Sequence, residues 1–344
     1  MFTTVATAAV LGCFSFGCGV MPALAAGPQC GDTITADYVL TQDLNCSGTA
    51  LFVVSTPDQA IRVDLAGHTL HGNGTGVGVD TEKYGPYGPG ERSVTVANGT
   101  VSGFASAFVG PNINRAGLKN LLLSNVQVVG NGTWLPQRVR GEARIEDSTV
   151  TDSGLGGAYA DSAHLTVENT RFVRSGVLSL SESVNVLEDS SFTGGGFTSY
   201  HLSTVTALRN TFTDCDTGVL MGDVWNAPTT IAGNTFRNCR VGVGLYGLTG
   251  PVSVRTNTFT GNGEAGMVYS QPRKGLEVSQ NSFLGNRGDG LTGTGSGPVR
   301  VAGNLAVGNA RLGINVPSDS VGEGNVARRN GNPAQCVGVV CEDR

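Results

Sequence analysis

The sequence predicts an all-β fold, a single-stranded parallel β-solenoid of about a dozen coils, each of roughly 20–27 residues, closed into three parallel sheets. The first observation is a repeat. ALRNTFTDC is followed by IAGNTFRNC, VRTNTFTGN, VSQNSFLGN and VAGNLAVGN. The asparagines of these copies, Asn210, Asn234, Asn257, Asn281 and Asn304, are spaced by 24, 23, 24 and 23 residues. The phenylalanine two places on (Phe212, Phe236, Phe259, Phe283) keeps step until Ala306 replaces it. The second observation is strand length: each copy holds strands of about three to five residues with alternating apolar positions, punctuated by Gly, Asn, Asp or Ser. The third is that no segment sustains a helical period. Strands this short must pair with the next copy, which makes the sheets parallel. A repeat array is one continuous core, so the 344 residues read as one domain rather than two.

From the N-terminus, residues 1–25 read as a signal peptide. They are small and apolar and end in the A-x-A pattern Ala23-Leu24-Ala25, although no Lys or Arg precedes the apolar stretch. Val10-Leu11-Gly12-Cys13 offers a lipoprotein alternative. Either reading predicts a secreted or cell-surface protein. Removing the segment takes Cys13 and Cys18 with it and leaves six cysteines, an even number suited to an oxidising compartment. Residues 26–59 read as an N-terminal cap: CGDTITADYVLTQDLNC alternates like a short strand or hairpin, closes on Cys30 and Cys46, and covers the open edge of the first coil.

The solenoid follows over residues 60–316. Aligned on the buried position, one column reads Val101, Val128, Val150, Phe172, Phe192, Phe212, Phe236, Phe259 and Phe283. Asparagine suits the turns because it tolerates left-handed backbone angles, and stacked amides can bond along the column. Cys215 and Cys239 share a column, three places after the Phe. Strands stack about 4.7–4.9 Å apart, within disulfide reach, so a bridge and a pair of stacked thiols both stay open. Residues 317–344 read as a C-terminal cap closed by Cys336 and Cys341.

Composition narrows the partners. A formal charge of −5 argues against a nucleic-acid partner, which needs a basic face. No apolar run long enough to span a membrane follows the N-terminal segment. No CxxC or Cys/His spacing points to zinc. A monomer is expected.

VSVRTNTFTGNGEAGMVYS (252–270) fits the pattern V-x-V-x-x-N-x-F-x-x-N-x-x-G-V/I, and the opening through VDLAGHTLHGNG and VTVANGTVSGF is similar to the start of many secreted bacterial repeat proteins. Over residues 30–341 the chain resembles the right-handed parallel β-helix, pectin-lyase-like superfamily, in its short-repeat form. The resemblance implies a right-handed solenoid. It leaves function open, because the superfamily holds pectate lyases, polygalacturonases, alginate epimerases, tailspike glycosidases and non-enzymes. The polygalacturonase motifs NTD, DD, GHG and RIK and the epimerase motif DPH do not occur as working sets in this sequence.

Function is expected on loops, which vary without disturbing the core. The insertions fall at one register, after the Gly-apolar strand: residues 80–93, 110–117, 136–142, 160–164, 222–228 and 271–275. They are expected to project from one edge and wall a groove. Tyr84, Tyr87, Trp134, Tyr159, Tyr200, Trp225 and Tyr269 lie in or beside that edge, and flat amphipathic rings suit a polysaccharide or cell-wall glycan. Tyr200 and Tyr269 share an alignment column with Leu180, Met221 and Leu245, which leaves a core role open for both. Candidate catalytic residues on the edge are Asp161, His164, His201 and Asp223, with Arg138 and Arg140 to offset a substrate carboxylate. Asp161 and Asp223 stand three coils apart, about 14 Å, which weakens a paired-carboxylate hydrolase. Asp161, His164 and His201 are closer in coil count and supply an acid and a base. Glu146, Glu168 and Glu188 form a column of like charge that a calcium ion would relieve; the alternative is a salt-screened stripe softened by Arg144 and Arg171. Three functions remain: a lyase or glycoside hydrolase acting on uronic-acid-containing glycans, a non-catalytic surface protein that binds carbohydrate by aromatic stacking, and a structural or accessory scaffold; the missing catalytic motifs favour the second over the first on mechanism.

Overall fold

The computed structural model describes residues 29–56, 59–81, 93–109, 120–135, 141–156, 163–180, 182–223 and 228–343. Every inter-strand pairing among them is parallel, and each strand pairs with its counterpart one coil on. One coil shows the plan. Val184–Glu188 belongs to the first sheet, Ser191–Thr193 to the second and Phe197–Tyr200 to the third. The next coil repeats it with Thr204–Leu208, Thr211–Thr213 and Thr217–Gly222. The long strands Ser93–Ser102 and Asn120–Val129 bend through the first corner and serve both the first and second sheets. The result is a solenoid of about a dozen coils with three parallel sheets, as the repeat predicts.

Stacking begins earlier than the cap boundary implies. Asp32–Ile34, Tyr38–Val39 and Leu44–Asn45 pair in parallel with the coil above, so they form a first coil rather than a hairpin. Cys30 and Cys46 are bridged across it. Cys336–Cys341 closes the other end.

The predicted buried column is continuous, and Val101 through Phe283 pair residue for residue. From Phe172 to Phe283 the ring centroids are 4.6–5.0 Å apart and the planes within 9° of parallel. The strand spacing sets this distance.

The asparagines form the expected ladder, but not for the expected backbone reason. The left-handed residue at each turn is the one before: Arg209, Gly233, Thr256, Gln280 and Gly303. The asparagine is chosen for its amide. Asn257 Nδ2 donates to Ile231 O at 2.9 Å and to Asn281 Oδ1 at 3.0 Å, while its own Oδ1 accepts from the backbone N–H and Nδ2 of Asn234. Each rung thus satisfies buried groups that the turn would otherwise leave orphaned. A second ladder, Asn262, Asn286, Asn309 and Asn330, fills the corner between the second and third sheets. Cys215 and Cys239 continue its column. Their Cα atoms are 4.3 Å apart and they are bridged, which settles the open alternative between disulfide and thiols. The Cys239 N–H donates to Asn262 Oδ1, joining bridge to ladder.

Candidate functional site on the third sheet

Two of the three corners are tight turns filled by ladders. At the third, the chain passes from the end of a third-sheet strand to the start of a first-sheet strand, and the insertions occupy this register. Gly222 is followed by residues 223–228 before Thr229–Ala232, and Ser270 by residues 271–275 before Leu276–Ser279. Much of this corner, with Tyr84, Tyr87, Arg138, Arg140, Tyr159, Asp161 and Trp225, lies outside the described residues. The strand ends that feed it are described.

On the outer surface of the third sheet, Leu180, Tyr200, Gly222, Tyr246 and Ser270 form one register column. Tyr200 and Tyr246 are 36% and 41% exposed, large for aromatic side chains on a sheet. A glycine lies against an edge of each ring. A Cβ on Gly222 would fall 2.7 Å from Tyr200 Cδ1, and one on Gly244 would fall 3.1 Å from Tyr246 Cε2. The space a side chain would need at each glycine is thus taken by an edge of a tyrosine ring, with Leu220 also close to Gly244. The two tyrosines sit two coils apart, about 9.5 Å at the backbone.

The chain then turns. His201 and Asp223 follow Tyr200 and Gly222, so they hold equivalent places on adjacent coils, about 4.8 Å apart at the backbone. Both are exposed. His201, Leu202 and Asp223 have φ of 55°, 59° and 53°. Two successive non-glycine residues in the left-handed region are costly, and such strain clusters where a side chain must be aimed. The turn is held by the Leu202 N–H donating to Asp223 O and the Asp223 N–H donating to Tyr246 O, both at 3.0 Å. His201 and Asp223 are thus backbone neighbours at the edge of the sheet, with Asp223 Oδ1 lying toward Gly247 on the coil beyond. His164 does not join them. It begins the first-sheet strand His164–Glu168, with Nδ1 3.9 Å from Glu142 Oε1.

The structure corrects two of the predicted stacking residues. Trp134 is fully enclosed; its Nε1 donates to Gly176 O at 2.9 Å, and its ring packs on Phe172 at 5.6 Å. Tyr269 is also fully buried, over Gly293, and burial pushes its phenol up to about 12. Neither ring can meet a ligand at the surface. The column that joined Tyr200 with Tyr269 is really two. Met221, Leu245 and Tyr269 point inward, whereas Leu180, Tyr200, Gly222 and Tyr246 point outward. A one-residue slip in a strand moves a side chain to the opposite face. Tyr246 was hidden by the same slip. The signal that finds it is its place two coils from Tyr200 with a glycine between.

The column Glu146, Glu168, Glu188 exists. Arginines bridge it. Arg144 bonds Glu146 and Glu168, each at 2.7 Å, and Arg209 bonds Glu188 and Asp189 at 3.2 and 2.8 Å. Among the described residues no group of three or more His, Cys, Asp or Glu is gathered for a metal ion. A trough of about 600 Å³ lies on the first sheet, with Pro228, Pro251 and Pro298 in one row and Glu277 and Arg300 beside them. Its lining offers no aromatic ring, and Arg300 is already bonded to Glu323 at 2.6 Å. Volume alone does not make it the better site.

A family model described as a right handed beta helix region matches residues 124–283. No curated protein matches the chain in sequence. Among solved structures it is similar to the catalytic unit of a thermostable α-1,3-glucanase from Streptomyces thermodiastaticus, at 12% identity and a TM-score of 0.44. That match covers 87% of this chain and 62% of the glucanase unit, so the chain spans less than two thirds of its length. It is also similar to the A-module of a mannuronan C-5 epimerase from Azotobacter vinelandii, at 11% identity and a TM-score of 0.38, covering 91% of this chain and 90% of that module.

Proposed function

We propose that this chain, a right-handed parallel β-helix, is an extracellular protein that holds a polysaccharide along the open corner of its third sheet. The observation that carries the reading is the pair Tyr200 and Tyr246, each partly exposed with an edge against Gly222 or Gly244. A sugar ring has an apolar face and a rim of hydroxyls. A partly exposed tyrosine offers an apolar face with a polar tip, at little cost in side-chain freedom. Two such rings in one column suit an extended chain running along the solenoid axis. The three disulfides fit an oxidising compartment.

A second observation favours chemistry over binding alone. His201 and Asp223 stand on adjacent coils next to the rings, close enough to serve one sugar as base and acid. Proton abstraction next to a uronic carboxylate, or protonation of a glycosidic oxygen, would each use such a pair. Calcium remains part of the proposal only as a counter-ion for a uronic substrate.

Affinity electrophoresis through gels containing neutral and uronic polysaccharides tests the binding reading. Retardation of the wild type, relieved in Tyr200→Ala and Tyr246→Ala, supports it. Equal retardation of all three removes it. Ultraviolet absorbance of unsaturated product, and reducing-end release, with and without Ca²⁺, test the catalytic reading. Retained binding with no product in either assay leaves a binding protein.

A further inference from the structure

The inside of the solenoid is apolar at most levels. In the first sheet one inward column runs Leu165, Asn185, Val205, and in the third another runs Ser179, Ser199, Met221, Leu245. The third-sheet column is polar at two successive coils, Ser179 and Ser199, and the first-sheet column at one, Asn185, while Ser183 and Ser203 join them from the corner. Ser179, Ser183, Asn185, Ser199 and Ser203 are all 0–2% exposed. Four of this nest are hydrogen-bonded to one another, and Ser199 lies next to Ser179 in strand register. Ser183 Oγ meets Ser179 Oγ at 2.5 Å and Ser203 Oγ at 2.9 Å, and Asn185 Nδ2 donates to Ser183 Oγ at 3.3 Å and to Thr204 O at 3.0 Å. Ser203 Oγ lies 3.2 Å from both the Tyr200 and the His201 carbonyl oxygens.

Two atoms of this nest, Asn185 Oδ1 and Ser199 Oγ, have no hydrogen-bond partner among the described residues. Buried polar atoms in a close-packed core are almost always paired, because leaving one bare forfeits its solvation. The two orphans have complementary chemistry. An amide oxygen can only accept, whereas a serine hydroxyl can donate and accept. An anion would be repelled by the amide oxygen. A divalent cation would want carboxylates, and all five side chains are neutral. Water is the small molecule that donates to one orphan and exchanges a hydrogen bond with the other, and two to four polar partners are what an internal water needs.

We propose that the nest formed by Ser179, Ser183, Asn185, Ser199 and Ser203 is an internal water site beneath the Tyr200–His201 turn. Its water completes the hydrogen bonding of Asn185 Oδ1 and Ser199 Oγ. Ser203, in the same nest, supports the carbonyls of the left-handed turn that presents His201. This inference does not depend on what the outer face binds.

The test is a sign. If Ser199 is bonded through water, Ser199→Ala strands part of that network and lowers the melting temperature. If Ser199 is a bare orphan, the same change removes a penalty and raises it. Oxygen-17 relaxation dispersion of water, measured on the full chain, counts long-lived internal waters. The expected result is a lower melting temperature and a loss of dispersion amplitude in Ser199→Ala, with both restored in Ser199→Thr. A Ser199→Ala protein that melts higher and keeps the wild-type dispersion overturns the proposal. Should Ser199→Ala fold poorly, Asn185→Asp read by dispersion alone serves instead. Its retained Oδ1 still accepts from a resident water and Asn185→Leu has no acceptor there, so amplitude kept in Asn185→Asp and lost in Asn185→Leu supports the site, and equal amplitude in the two sinks it.

Discussion

The inner phenylalanine column and the outer tyrosine column are built on the same coil spacing and do opposite things. In the second sheet, Phe172 through Phe283 stack ring on ring in every coil, enclosed on all sides. In the third, Tyr200 and Tyr246 skip a coil, and Gly222 stands between them. A continuous stack saturates each ring's faces with other rings. An interrupted one leaves a face for something else. Periodicity marks structure in this molecule, and a broken period marks the place to look for function.

Mutation separates the two columns, and the inner one should give the largest effect. Phe236→Ala removes a ring packed on two neighbours and is expected to cost about 3–5 kcal/mol, read as a fall in the denaturant midpoint. Asn257→Ala leaves the Ile231 carbonyl and the Asn234 N–H without their partner, and about 2–5 kcal/mol is expected for two stranded buried groups. A loss near zero would mean that the ladder ornaments the turns rather than holding them.

The disulfide between Cys215 and Cys239 should come next. It closes a separation of 24 residues, for which chain entropy gives roughly 3 kcal/mol. Thermal melts of the double serine variant check this against the wild type. The outer column behaves differently in kind. Tyr246→Ala is expected to weaken polysaccharide retention about tenfold, for about 1–1.5 kcal/mol of lost ring contact, while changing stability by less than about 0.5 kcal/mol. A drop in melting temperature as large as that of Phe236→Ala would place Tyr246 with the core and end the contrast.

The smallest effect belongs to the exposed ion pairs. The Arg209 guanidinium, hydrogen-bonded to Asp189, holds that carboxyl below its ordinary value. A carboxyl depressed in the folded state contributes stability above its unfolded value, and that contribution is lost as pH falls through the folded one. Wild type and Arg209→Ala should therefore differ slightly in melting temperature at neutral pH and converge in acid. Divergence in acid would reverse the assignment.

The repeat in the sequence announced its own fold because a solenoid's contacts are all made at a fixed interval along the chain. Residues that meet, such as Asn234 and Asn257 or Phe236 and Phe259, recur at that interval. The second asparagine ladder was legible in the same way, in the Gly-Asn pairs at Asn262, Asn286 and Asn309, but was masked by the stronger first one. The candidate site was legible only in part. His201, Asp223 and Tyr200 could be placed at the right corner, because insertion register follows from the repeat. Trp134 and Tyr269 could not be told from Tyr200, since an aromatic residue at a strand end looks alike whether it faces in or out.

The coil, the parallel sheets, the stacked columns and the corner at which the chain departs from its rule are all written in residue order. Each of these follows from spacing, and spacing is written along the chain. Which tyrosines are exposed, that arginines cross-link the glutamate column, and that a polar nest lies under the His201 turn emerge only once the coils are stacked. Those depend on a strand's facing, which one residue of register reverses, and on neighbours about 20 residues away whose side chains meet only once the coil has closed.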